Sequence, residues 1–115
     1  MFTYITKELP DVVSTFFPVD RENKSITGFS MGGHGALISA FKTGAYRSVS
    51  AFAPISNPSK NPFWAGKAFN FFLNKPEEEG PAYDATELVR NGNYHKTPLF
   101  IDVASNDQFK EKLLI

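Results

Sequence analysis

The stretch "SITGFSMGGHGALISAFKTGAYRSVSAFAP", residues 25–54, decides the fold because its periodicity changes twice. "SITGF" is a short apolar run with β-branched residues, the pattern of a strand entering a tight turn. From Met31 to Lys42 the apolar residues Met31, Ala36, Leu37, Ala40 and Phe41 recur at helical spacing, and Thr43 and Gly44 close the helix. "YRSVSAFAP" returns to strand character and stops at Pro54.

Outward from this stretch the alternation continues. Ile5, Leu9, Val12, Val13 and Phe16 form the stripe of an amphipathic helix over residues 2–16, with Pro10 as a kink or early-turn residue. Residues 55–65, "ISNPSKNPFWA", read as a loop in which Pro58 and Pro62 block regular structure. Short helices are expected at 66–73 and at 85–90, the latter with Asp84 as N-cap and Glu87 three residues on. "TPLFIDVAS", residues 97–105, is a third strand, and Asn106 or Asp107 caps a last helix. Strands alternating with helices predict an α/β fold with a parallel sheet covered on both faces.

At 115 residues there is room for a single core, so residues 1–115 are read as one domain. Twelve basic and twelve acidic side chains cancel, which removes the field that draws a protein to nucleic acid or an anionic membrane. The chain has no cysteine, which excludes disulfides and thiolate metal sites. "MFTYITKELPD" lacks a basic leader followed by an apolar block, and the uncharged run from Ser25 to Phe41 is broken by Gly28, Gly32, Gly33 and Gly35. Those features predict a soluble, cytoplasmic protein without a membrane partner. Twelve Phe, four Tyr and one Trp are a large aromatic load, and such rings bury extensive apolar area.

Within the opening stretch, Gly28, Ser30 and Gly32 form Gly-x-Ser-x-Gly. At about 7% abundance per residue that pattern arises by chance in about 4% of chains this long, so its context has to carry the inference. Here it lies where a strand hands over to a helix, the place where a strained turn holds a serine clear of the backbone. Gly28 and Gly32 are expected to be glycines for steric reasons on the two sides of the turn. The helix after Ser30 directs free N–H groups at the site, and the Met31 N–H is the first candidate oxyanion donor. The competing reading is a glycine-rich turn capped by Ser30, with no chemistry.

A nucleophilic serine needs a base, and the base an orienting acid. In α/β-hydrolases the acid follows the serine in chain order, and Asp107 fits, just past the C-terminal end of the third strand. Its alternative role is a helix N-cap; Asp102, inside the strand, is the weaker candidate. Neither histidine suits the base. His34 should run along the helix flank, away from the serine oxygen, and His95 precedes the third strand at the opposite edge of the sheet.

The run "GFSMGGHGALISAFKTGAYRSVSAFAPISNP" resembles the corresponding segment of the S-formylglutathione hydrolases, the esterase D family, and the match extends through "AYDATELV" to "NDQF". Helix "YITKELPDVV" and the following "FPVD" also look like the family, so the resemblance covers about Phe2 to Phe109. "FWAGKAF" around Trp64 is similar to the family pattern but shifted by one residue.

The resemblance implies a partial α/β-hydrolase fold with Ser30 as nucleophile and Asp107 as triad acid. It places the catalytic His beyond Ile115, and the loop with the second oxyanion donor in strands before Met1. It implies hydrolysis of S-formylglutathione to glutathione and formate in formaldehyde removal, cleavage of simple carboxylic esters, no metal or organic cofactor, and a homodimer when full length. Without the His the chain alone is expected to be inactive. Two other readings stand beside it: a carbohydrate-acyl esterase or acyltransferase of the same superfamily, and a non-catalytic interaction module.

Overall fold

In the computed structural model, which describes residues 1–113, the chain runs first through a helical stretch that changes its winding before Pro10. Residues Tyr4–Glu8 form a π-helical turn, with the Leu9 N–H donating to the Tyr4 carbonyl, and α1 follows over Leu9–Phe16. Proline has no N–H and its ring crowds the carbonyl four residues back, so a wider turn there takes the place of the expected kink.

β1 (Ile26–Phe29) leads into α2 (Met31–Thr43), and β2 (Val49–Phe52) follows. Gly44 ends α2 in the left-handed conformation at φ 62°, where a side chain would be strained. β3 (Leu99–Asp102) completes a parallel sheet in the order β1-β2-β3, with Ile26 beside Val49 and Val49 beside Leu99. All three strands are shorter than their apolar runs.

The segment between β2 and β3 is more helical than its prolines suggest. Pro58 and Pro62 do not block structure but begin it, at the first positions of a 3₁₀ turn (Pro58–Lys60) and of α3 (Pro62–Trp64). There the missing N–H costs nothing. The Asn61 side chain caps α3 by accepting from the Phe63 N–H at 2.9 Å. A π-helical turn, Ala65–Phe69, joins α3 to α4 (Asn70–Phe72), and α5 (Pro76–Glu79) and a 3₁₀ turn (Gly80–Tyr83) lead to α6 (Ala85–Arg90). Asp84 is the N-cap of α6, as its spacing to Glu87 predicts, and α7 spans Lys110–Leu113.

The core sits between α2 and one face of the sheet. Ala36, Leu37, Ile38, Ala40 and Phe41 of α2 pack with Val49 and Ala51 of β2 and with Ala85 and Leu88 of α6. Residues on every side of α2 are buried because the sheet, α6 and the N-terminal helix surround it, which is why its apolar stripe is wider than a surface helix needs. Met31 is the exception at 70% exposed, since it stands on the turn. The expected cover on both sheet faces is absent among the described residues. The second face presents Phe29, Phe52 and Phe100, and Phe29 is 71% exposed. Among the described residues no helix is long and apolar enough to cross a membrane.

Candidate active site

Ser30 occupies the single residue between β1 and α2, with φ 55° and ψ −117°. Few non-glycine residues adopt a positive φ, and one held there by its surroundings marks stored strain. The surroundings here are three backbone hydrogen bonds. The Ser30 N–H donates to the Phe52 carbonyl at 2.9 Å, and its carbonyl accepts from the His34 N–H at 3.1 Å and the Ile55 N–H at 3.2 Å. The backbone is thus clamped to both α2 and the loop after β2. The side chain makes no capping bond, so the reading of Ser30 as a mere cap does not hold.

The glycine requirement falls differently from the expectation. A Cβ on Gly28 would overlap the Gly32 carbonyl and stand 2.8 Å from the Gly33 nitrogen, and one on Gly33 would stand 3.1 Å from the Pro54 Cβ. A Cβ on Gly32 meets nothing within 4 Å. The turn therefore needs bare backbone at Gly28 and Gly33, where α2 folds back on β1, whereas Gly32 contributes its main chain only.

As the first residue of α2, Met31 has no intrahelical acceptor for its N–H, which stays available at the serine. Asp107 follows the C-terminal end of β3, the sheet edge on which Ser30 follows β1. In the sheet order one strand, β2, lies between the strands that these two residues follow. Asp107 Oδ1 accepts from the Phe109 N–H at 2.7 Å, which fixes the turn that carries it. Asp102 is the last residue of β3, with its carbonyl taken by the Ala53 N–H at 2.7 Å.

Neither histidine reaches the serine. His34 is partly buried one turn into α2, where its Nε2 accepts from the Ala85 N–H at 3.3 Å. Burial pushes its pKa down to about 4, against an opposing pull from the Asp84 charge. His95 packs on Gly44, at the end of α2 remote from Ser30. Thirteen residues of helix, about 20 Å, separate the two positions.

Sequence reasoning missed Ala53 and Asn57, which hold φ 40° and 48° in the segment that follows β2. The Asn57-Pro58 pair is a turn signal that marks the second; nothing marks an alanine in a left-handed conformation. It also missed the reach of Asp84, which is fully buried and accepts from the Thr86 and Glu87 N–H groups and from both the N–H and hydroxyl of Ser59. In the Trp64 stretch the indole N–H is buried with no partner among the described residues.

A sequence model of the Esterase family matches residues 2–114. The chain is 50% identical over 110 residues to the S-formylglutathione hydrolase of Rattus norvegicus, covering 95% of this chain and 39% of that protein. It is 46% identical over 114 residues to the S-formylglutathione hydrolase of Paracoccus denitrificans, covering 98% and 40%. A solved S-formylglutathione hydrolase from Agrobacterium tumefaciens superimposes with a TM-score of 0.89 at 40% identity, over 99% of this chain and 41% of that one. The chain thus spans about two fifths of the length of these relatives. On the match of its sequence over nearly its whole length, the chain belongs to the Esterase family.

Proposed function

We propose that these residues form the nucleophile-and-acid part of a serine hydrolase that cleaves S-formylglutathione and simple carboxylic esters. The observation that carries the proposal is Ser30: a strained residue with an uncapped hydroxyl at the N-terminus of a buried helix. The names of the relatives supply the substrate class.

In this reading Ser30 Oγ attacks the thioester carbonyl as a histidine from outside these residues takes its proton. The developing oxyanion is held by the Met31 N–H and a second donor. The C–S bond breaks, the glutathione sulfur leaves with the proton from the histidine, and water then hydrolyses formyl-Ser30 to formate. Asp107 orients the histidine and stabilises its cation. Such an enzyme works in cytoplasmic removal of formaldehyde captured by glutathione.

In the full-length protein, Ser30→Ala is expected to abolish release of glutathione from S-formylglutathione, and Asp107→Asn to lower kcat by about 10⁴ with KM little changed. Full activity in Ser30→Ala would overturn the assignment. Assaying the full-length protein on acylated sugars beside S-formylglutathione separates the carbohydrate-ester alternative. The 115-residue chain alone is expected to fall short of the full-length rate by about 10³-fold or more, having no base at the serine.

A further inference from the structure

The excursion between β2 and α6 is tied at both ends to one turn of one helix. At its near end the Ile55 N–H donates to the Ser30 carbonyl; at its far end the Ala85 N–H donates to His34 Nε2. Ser30 and His34 are themselves joined, since the His34 N–H is the first intrahelical donor to the Ser30 carbonyl.

The far tie follows from the needs of α6. Its first N–H groups have no helical acceptor, and Asp84 supplies two of them, Thr86 and Glu87. That leaves the Ala85 N–H pointing into the interior, where an unpaired donor is costly. Among the described residues the imidazole of His34 is its acceptor. Accepting at Nε2 requires a neutral ring with its proton on Nδ1, the form that burial favours.

Resting on the reading of Ser30 as nucleophile, we infer that His34 is a positioning residue: its neutral imidazole closes the 55–85 excursion onto the nucleophile turn and so holds the serine backbone in register. His34, Met31, Phe69 and Tyr83 line one cavity of about 580 Å³, so the ring sits where the excursion, α2 and the N-terminal helix meet. The charge that acts on it is the Asp84 carboxylate from the α6 cap, and the titratable residues Tyr83 and Met1 line the same cavity; Glu87, further along α6, is engaged by Arg90. Protonation of His34 removes the acceptor and turns the ring into a donor facing a donor. The excursion then loses its far tie.

The test uses the full-length protein with His34→Leu and His34→Gln, following Ala85 amide exchange and the kinetics of p-nitrophenyl acetate. His34→Leu keeps volume and removes the acceptor; Ala85 exchange should quicken and kcat/KM fall, each by about tenfold. His34→Gln offers an oxygen near Nε2 and should bring both back to within about threefold of wild type. Equal losses in the two variants, or an unchanged Ala85 amide in His34→Leu, would overturn the inference. If His34→Leu does not fold, the pH response decides. The extra opening at Ala85 in wild type should grow as pH falls toward about 4 and be missing in His34→Gln; parallel profiles overturn it. Ser30→Ala is run alongside. Activity surviving there defeats the nucleophile reading, whereas the exchange data judge His34 separately.

Discussion

At Ser30 and Gly28 the same turn makes opposite demands. Ser30 sits at φ 55°, a conformation glycine adopts without strain, so Ser30→Gly should raise stability by about 1 kcal/mol in urea melts while removing the hydroxyl. Gly28→Ala drives a methyl group into the Gly32 carbonyl, and because backbone lies on both sides it should cost about 3 kcal/mol or more. A gain from Gly28→Ala would mean that β1 and α2 are further apart than the geometry indicates. His34 adds a pH dependence whose sign follows from burial. Its pKa is about 4 in the folded state and 6.5 when unfolded, so between those values the unfolded chain binds the extra proton. The contribution is complete above about pH 6.5 and is lost as the pH falls through about 4, with an upper size of about 3 kcal/mol. Urea melts from pH 7 to pH 4 should show this slope in wild type and lose that part of it in His34→Gln.

Among the elements, α6 depends most on one side chain. Asp84 caps it and also holds Ser59, a residue of the excursion, through two further hydrogen bonds at 2.8 and 2.6 Å. Asp84→Ala should therefore cost about 3 kcal/mol, more than an exposed cap, and Ser59→Ala about 1 kcal/mol. Chemical denaturation of both variants checks the ranking; equal effects would mean that the cap is worth nothing beyond the Ser59 link. The cap was legible in the sequence because Asp84 and Glu87 are three residues apart, whereas its partner Ser59 lies 25 residues away and carries no local mark. The same division runs through the chain. β1, α2, β2 and β3 were legible because each is a local pattern, a short apolar run for a strand or apolar residues at helical spacing for α2. The winding of residues 55–83 was not, because it is organised by distant contacts. Lys42 of α2, for example, lies 4.1 Å over the Tyr83 ring and donates to the Ala82 carbonyl. At the serine turn the motif and the chain order picked out Ser30 and Asp107, but Ala53 and the His34 tie depend on packing that no pattern records.

Over the whole molecule, the sheet is the unfinished part. A closed domain of 115 residues has a radius of gyration of about 13 Å, and the described chain has 14.7 Å. The sheet is open as well: β1 and β3 each have one edge without a strand among the described residues, and every residue of β3 is solvent-accessible. The face away from α2 carries Phe29, Phe52 and Phe100, the last two with ring centroids 5.9 Å apart. A parallel sheet normally buries both faces, and unpaired edges with apolar side chains recruit further strands. The 115-residue chain on its own should thus self-associate, with sedimentation velocity showing larger species as concentration rises. Two routes are open to it, edge pairing and face stacking, and one substitution tells them apart. Phe100→Lys places a charge on the open face without touching the core, so association through the face should weaken strongly, whereas pairing along β3 leaves the backbone edge available and should weaken less. A monomer at all concentrations would contradict both routes and require the second face to be covered by residues of the chain itself.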